Sequence, residues 1–187
     1  MGNVFLMDVD KCNGCYDCLM ACNEKYFGES LSEFNMAHPS LGQFLMKIEE
    51  HLYGEPPRIK QFFLVKPCMH CTNAPCAQCC PVDAIKINEF GLVELLEDKC
   101  ISCRLCVYAC PYDLIFYDRE QVSVVKCSGC SDLLRQGKEP ACVSACERKA
   151  ITFGDWSELG KIAENADQII PEPDMKPLVF YRNLPKS

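Results

Sequence analysis

Cysteine spacing is the feature of this sequence that most restricts its fold. Of the 17 cysteines, all but one fall into four groups of four. The first and third groups share the spacing C-x2-C-x2-C-x3-C, while the second and fourth begin C-x2-C and end C-x3-C. The groups in chain order are Cys12, Cys15, Cys18 and Cys22; Cys68, Cys71, Cys76 and Cys80; Cys100, Cys103, Cys106 and Cys110; and Cys127, Cys130, Cys142 and Cys146.

Three kinds of chemistry use cysteine at this density: disulfides, zinc sites and iron–sulfur clusters. A disulfide scaffold is typically short and secreted with an even cysteine count, whereas this chain has 187 residues and an odd count. The first and third groups match the bacterial ferredoxin run, whose fourth cysteine binds a neighbouring cluster. Taken alone, the fourth group is also compatible with zinc, but its match to the second group favours iron and sulfide. The sequence therefore predicts four [4Fe–4S] clusters.

Four further residues are candidate ligands outside this pattern. Cys79 directly precedes Cys80, but only Cys80 keeps the x3 spacing and a following proline. We expect Cys79 to be a buried free thiol, and an alternative ligand is the competing interpretation. His38, His51 and His70 are possible ligands of the Rieske type, although four complete cysteine sets leave no vacant position. His70, inside a cluster loop, is placed to hydrogen-bond near a cluster and tune its potential.

An internal repeat predicts the organisation of the chain. Residues 10–22 align without a gap on residues 98–110, and seven of the thirteen positions are identical. We therefore predict an α+β fold of two ferredoxin-like [4Fe–4S] modules, in which short helices begin at the last cysteine of each group. Short apolar strands are predicted at residues 4–7, 85–87, 92–95 and 151–153.

The connecting segment, residues 23–67, predicts an inserted β-hairpin. Apolar residues recur with a period of two at Phe44, Met46 and Ile48, and an uninterrupted apolar run follows at residues 62–65. A short helix over residues 43–52 is the alternative.

The last segment, residues 154–187, contains four prolines and predicts an extended C-terminal arm. One short helix is expected over residues 156–165. The arm either wraps a partner or packs on its own domain. The proposed domains are thus the paired modules over 1–153 and the arm over 154–187.

Charge and hydropathy exclude several functions. The formal net charge of −7 and the lack of basic patches argue against nucleic-acid binding. No apolar run reaches the ~20 residues that span a bilayer, so no direct membrane span is expected. The sequence also lacks a phosphate loop, a dinucleotide fingerprint and a nucleophile elbow. The chain is therefore expected to have no catalytic residues of its own.

Four stretches carry a resemblance to a known family. They are residues 68–76 (CMHCTNAPC), 139–142 (EPAC), 150–155 (AITFGD) and 176–185 (KPLVFYRNLP). With the order of the cysteine groups, they resemble the iron–sulfur subunit of dimethyl sulfoxide reductase-type molybdenum and tungsten enzymes over nearly the whole chain. The resemblance implies that ligands cross between groups. The implied sets are Cys12, Cys15, Cys18 and Cys146; Cys22, Cys127, Cys130 and Cys142; Cys68, Cys71, Cys76 and Cys110; and Cys80, Cys100, Cys103 and Cys106.

The same resemblance implies a role and partners. We expect a non-catalytic electron-transfer subunit that relays single electrons between a large molybdenum- or tungsten-pterin catalytic subunit and a second partner. That second partner is either a membrane quinone-linked subunit or a soluble electron carrier. The alternative is a free-standing polyferredoxin or redox-sensing module. Residues 1–10 resemble no leader, so we expect a cytoplasmic location, with co-export beside a leader-bearing catalytic subunit as the alternative.

Overall fold

The computed structural model describes residues 2–28, 44–119, 121–171 and 174–185. Over these residues the chain is a mixed fold of small sheets and short helices. The strands are β1 (Asn3–Asp8), β2 (Lys47–Tyr53), β3 (Lys60–Lys66), β4 (Ile85–Ile87), β5 (Val93–Leu95), β6 (Ile115–Asp118), β7 (Ser123–Lys126), β8 (Ile151–Asp155) and β9 (Val179–Arg182). The helices are α1 (Asp17–Phe27), α2 (Pro75–Gln78), α3 (Leu105–Ala109), α4 (Ser131–Arg135), α5 (Ala141–Ser144) and α6 (Trp156–Ala163).

The largest sheet has three strands in the order β8-β1-β9. The central strand β1 pairs antiparallel with β8 and parallel with β9. Its side chains are buried on both faces because alternate residues enter different apolar clusters. Phe5 and Met7 join the main core, whereas Val4 and Leu6 pack with Leu178 and Phe180. The strand predicted at residues 4–7 is therefore confirmed, and the one at 151–153 extends to residue 155.

The C-terminal segment packs on its own chain. Its strand β9 is an edge of the three-stranded sheet, and Tyr181 is fully buried and donates a hydrogen bond to the Val65 carbonyl at 3.0 Å. Helix α6 confirms the helix predicted near residues 156–165 and ends two residues earlier. The division at residues 153 and 154 stays a prediction, as does the grouping into two modules.

The predicted hairpin is confirmed by the antiparallel pairing of β2 with β3. The alternative helix is wrong over residues 47–52, because these residues pair with β3 instead of with each other. Residue 43, where that helix would begin, lies outside the described residues. Leu64 and Val65 anchor the hairpin in the main core.

The predicted helix starts are wrong, and the difference is systematic. Helices α1 and α3 begin at Asp17 and Leu105, one residue before the third cysteine of their groups. Helices α2 and α5 likewise begin one residue before Cys76 and Cys142. The residues before α1 and α3 have left-handed backbone, with φ of 67° and 66°. This turn starts the helix early, so the first helical turn carries the third cysteine.

Candidate cluster-binding sites

The structure brings cysteines from different groups around common pockets. Three pockets are each lined by four cysteines, and two different groups contribute to each pocket. We name them by their first residue. The Cys12 set is Cys12, Cys15, Cys18 and Cys146; the Cys68 set is Cys68, Cys71, Cys76 and Cys110; and the Cys80 set is Cys80, Cys100, Cys103 and Cys106.

A fourth set surrounds Cys22 on helix α1. Burial raises the pKa of the Cys22 thiol, and the neighbouring thiols of Cys127, Cys142 and Cys130 raise it further. We call these residues the Cys22 set. The structure therefore groups all the cysteines of the four implied sets as the resemblance implies, and their role as ligands is proposed below.

One backbone conformation recurs in the first loop of every set. The second residue after the first cysteine has positive φ in all four groups: 70° at Gly14, 45° at His70, 54° at Ser102 and 68° at Gly129. This turn aims backbone N–H groups at the preceding sulfur. The N–H of Ser102 lies 3.4 Å from Cys100 Sγ, and that of Gly129 lies 3.3 Å from Cys127 Sγ. Such N–H groups stabilise the negative charge of a bound cluster.

A second turn follows the last cysteine of two groups. The backbone N–H groups of Ala84 and Ala150 each donate to the cysteine four residues earlier, at 3.2 Å to Cys80 Sγ and 3.2 Å to Cys146 Sγ. Partial burial raises the pKa of Cys80, but hydrogen bonds from nearby backbone N–H groups outweigh it and lower the pKa. This sulfur is thus prepared to carry negative charge.

The buried thiols of the sets fit a group that supplies positive charge. Burial, followed by neighbouring cysteines, raises the pKa of Cys18 and Cys71 to about 12 and that of Cys106 to about 11. Several crowded thiolates in an apolar pocket are therefore unfavourable unless a cation compensates them. The ferric and ferrous ions of an iron–sulfur cluster do so. Across the described residues, no three His, Cys, Asp or Glu side chains converge as on a single metal ion.

The sets form a series. Cys18 of the Cys12 set is close enough to Cys22 to raise its pKa after burial, and Cys68 acts in the same way on Cys127. The Cys68 and Cys80 sets are joined by helices α2 and α3, which pack together. The series is therefore the Cys12, Cys22, Cys68 and Cys80 sets. Its two terminal sets contain the exposed cysteines, Cys15 and Cys103.

Cys79 differs from the prediction in its burial. It is half-buried at the end of α2, and its thiol donates to the Cys76 carbonyl at 3.5 Å. Cys79 is absent from the lining of the Cys80 pocket, yet after burial it is the first neighbour that raises the pKa of Cys106. Cys80 lines the pocket and repeats the N–H geometry of Cys146, so the ligand role predicted for Cys80 stays a prediction that its surroundings favour.

The two histidines that the structure describes lie in different environments. His70 is completely buried beside the Cys22 set, with Nε2 at 3.9 Å from Cys127 Sγ. His51 lies in β2 and contacts Glu49 and Phe62. His38 lies outside the described residues.

Sequence reasoning missed three polar residues near the sets. Tyr26 OH accepts a hydrogen bond from the Ser128 N–H at 2.6 Å. Lys126 is buried. The buried amide of Asn23, beside Cys22, has no hydrogen-bond partner within the described residues. The available signal was their closeness to cysteines in sequence, which does not indicate burial.

Fold and cysteine sets together define an iron–sulfur protein that binds [4Fe–4S] clusters. The chain belongs to the 4Fe-4S dicluster domain family, whose model matches residues 59–156. This match confirms the predicted cluster type. None of the described helices combines the length and apolar character needed to cross a membrane.

Curated relatives refine this family assignment. The protein is 38% identical to the Protein NrfC homolog of Haemophilus influenzae over 156 residues, which cover 81% of this chain but only 64% of the relative. It is 31% identical to the B subunit of anaerobic dimethyl sulfoxide reductase from the same organism over 170 residues, 90% of this chain and 82% of the relative. Identity to the corresponding subunit of Escherichia coli K12 is 30% over 177 residues, with coverages of 90% and 81%. These relatives confirm the resemblance to iron–sulfur electron-transfer subunits.

Proposed function

We propose that this chain relays single electrons through four [4Fe–4S] clusters between a large molybdenum- or tungsten-pterin catalytic subunit and a second redox partner. The observation that carries this proposal is the series of four cysteine sets, with an exposed cysteine in the set at each end. Each set would hold one cluster through its four thiolates. A bound cluster accepts and releases one electron at a time.

The protein's own contribution is to hold and tune the clusters. Backbone N–H groups directed at Sγ atoms, burial and nearby charge set the reduction potential of each cluster. The chain would not catalyse a reaction by itself. The relatives named as B subunits of dimethyl sulfoxide reductase are parts of a larger reductase, which supports a catalytic partner here.

The surface near the Cys80 set favours a subunit over a free carrier. Ile101, Leu105 and Tyr108 are exposed by 61%, 49% and 83%, and they lie in the same segment as the exposed Cys103. Apolar and tyrosine side chains are typical of protein interfaces. A membrane quinone-linked subunit or a soluble electron carrier would be the second partner, and the location would be cytoplasmic or follow an exported catalytic subunit.

Cluster content tests the first part of the proposal. Anaerobic reconstitution of the whole chain should give about sixteen iron and sixteen sulfide per chain, because four clusters of four iron are expected. Stoichiometric zinc, or iron for only two clusters, would overturn the count of four. The matched control is reconstitution with zinc in place of iron and sulfide.

Isolation from the native host tests the partners. We expect a larger pterin-containing protein to co-purify, and rapid mixing with that protein's substrate to change the spectra of these clusters. Recovery of the chain alone at native abundance, exchanging electrons only with small carriers, would favour the free-standing polyferredoxin.

A further inference from the structure

Lys126 is a buried cation at the end of strand β7. The residue is only 4% exposed. Its Nζ donates to the Val93 carbonyl at 2.5 Å and to the Cys127 carbonyl at 2.6 Å. Within the described parts of the chain, no carboxylate forms an ion pair with it. A buried charge is costly unless an opposite charge compensates it, so this ammonium group requires nearby negative charge.

The position of Lys126 indicates that this negative charge belongs to the Cys22 and Cys68 sets, the two inner sets of the series. Lys126 precedes Cys127 of the Cys22 set, and its partner Val93 lines the pocket of the Cys68 set. Val93 also fixes His70, because its N–H donates to His70 Nδ1 at 3.1 Å. A single residue of β5 therefore holds both Lys126 and His70 where the two inner sets meet.

His70 adds a neutral donor at the same junction. Because Nδ1 accepts a hydrogen bond, Nε2 carries the proton of the neutral ring. Nε2 is the atom that lies 3.9 Å from Cys127 Sγ. Burial lowers the pKa of His70, and the positive charge of Lys126 lowers it further. The junction thus combines one fixed cation with one neutral N–H donor.

Lys126 borders both inner sets. Its Nζ donates to the carbonyl of Cys127, a member of the Cys22 set, and to the carbonyl of Val93, which lines the pocket of the Cys68 set. The positive charge therefore lies beside cysteines of two sets.

We propose that Lys126 tunes electron transfer: its buried ammonium group raises the reduction potentials of the two inner clusters. This inference rests on the proposed function, since it requires clusters in the Cys22 and Cys68 sets. Each one-electron reduction adds a negative charge to a cluster, and a nearby cation in a medium of low dielectric constant stabilises the reduced form. The inner clusters then accept an electron from either end more readily than they would without the cation.

The chain contains matched controls for this residue. Lys11 and Lys99 occupy the same position, immediately before the first cysteine of their groups, and both are exposed. Water and salt screen an exposed charge much more strongly than a buried one. Removing Lys99 should therefore change the potential of its cluster far less than removing Lys126 changes the inner potentials.

The test compares Lys126→Gln with Lys99→Gln in the full chain after anaerobic reconstitution. Iron is counted first, and midpoint potentials are then measured by redox titration followed with paramagnetic resonance. We expect Lys126→Gln to lower two potentials by about 59 mV or more, a tenfold change in a one-electron equilibrium. Lys99→Gln should shift one potential by less than half as much. Equal shifts in the two variants, or unchanged inner potentials in Lys126→Gln, would overturn the inference.

A second pair of variants decides the case in which Lys126→Gln fails to bind iron. Lys126→Arg keeps the charge and Lys126→Met keeps most of the side-chain volume. Full iron in the arginine variant and loss of iron in the methionine variant would support a role for the positive charge. Loss of iron in both variants would assign Lys126 to packing and overturn the inference. Wild-type protein without about sixteen iron would instead contradict the proposed function.

Discussion

The Cys12 and Cys80 sets, at the two ends of the series, have the same cysteine spacing, but different elements line their pockets. The Cys12 pocket is bounded by residues of the hairpin and of β8, such as Ile48, Val65 and Ile151. The Cys80 pocket is bounded by short two-stranded sheets, through Ile85, Leu95 and Val124. The two cysteine loops are local and have the same spacing, whereas the residues that line their pockets come from remote parts of the chain.

The helices that leave the two loops also differ. Helix α1 has 11 residues and continues past Cys22, which is 5% exposed, whereas α3 has 5 residues and ends before the half-buried Cys110. Tyr26 on the extended part of α1 bonds to Ser128 beside the Cys22 set. Spacing therefore places the cysteines in their loops, whereas long-range packing determines how strongly each end is stabilised.

Removal of iron should produce the largest loss of structure, and this loss should differ between the Cys12 and Cys80 ends. We expect anaerobic chelation to abolish hydrogen-exchange protection in β4 and β5, which pair over only three residues. Strand β1 should keep partial protection, because it pairs on both sides. Metal binding and folding are coupled where ligands come from remote segments. Equal protection at both ends after iron removal would contradict this difference.

Cysteine replacements on α1 test whether two residues one helical turn apart, Cys18 and Cys22, bind different clusters. Cys18→Ala and Cys22→Ala should each lose about four iron, because the two thiols belong to different sets. Combining Cys18→Ala with Cys146→Ala should cost no further cluster. Combining Cys22→Ala with Cys146→Ala should cost two clusters. Iron analysis of the four variants decides between crossed ligands and ligands from one group.

The Cys80 end offers a paired test in adjacent residues. Cys80→Ala should lose one cluster, because Cys80 lines the pocket and accepts the Ala84 N–H at 3.2 Å. Cys79→Ala should retain full iron, since its thiol bonds to the Cys76 carbonyl. Iron content and paramagnetic resonance of both variants provide the measurement. The reverse pattern would make Cys79 the ligand and place its neighbour outside the set.

A glycine and a serine at equivalent loop positions give the smallest expected effect. A Cβ on Gly14, which has φ of 70°, would lie 2.5 Å from the Phe63 ring of the hairpin. Gly14→Ala should therefore lower stability by roughly 1–3 kcal/mol, from left-handed strain and overpacking. Ser102→Ala, already a non-glycine residue at φ of 54°, should change stability by less than about 0.5 kcal/mol.

Anaerobic thermal midpoints at one scan rate measure this difference. If Gly14→Ala and Ser102→Ala have equal midpoints, the hairpin does not press on the first loop as the structure indicates. Gly14→Ala should lower the midpoint less in a Phe63→Ala background than in the wild type, because the overlapping ring is then absent.

The sequence predicted the cluster type, the hairpin and the strands β1, β4, β5 and β8 because these depend on nearby residues. Strands β6, β7 and β9 were not predicted. Ferredoxin spacing fixes which cysteines share a loop. A period of two over residues 44–48 predicts a strand, and the structure places that strand at Lys47–Tyr53. The helix starts were predicted wrongly because the left-handed residues before α1 and α3 are Tyr16 and Arg104. Neither residue type favours positive φ, so the sequence did not indicate the left-handed turns that precede these two helices.

Burial and the order of the cluster sites were decided by tertiary structure alone. Lys11, Lys99 and Lys126 occupy the same position before a cysteine, yet only Lys126 is buried, because β5 supplies the Val93 carbonyl beside it. The series of sets likewise depends on which distant segments lie near one another, as Cys68 does to Cys127, whose pKa it raises. Residue spacing determines local geometry, but the environment of a charge depends on which remote segments pack against it.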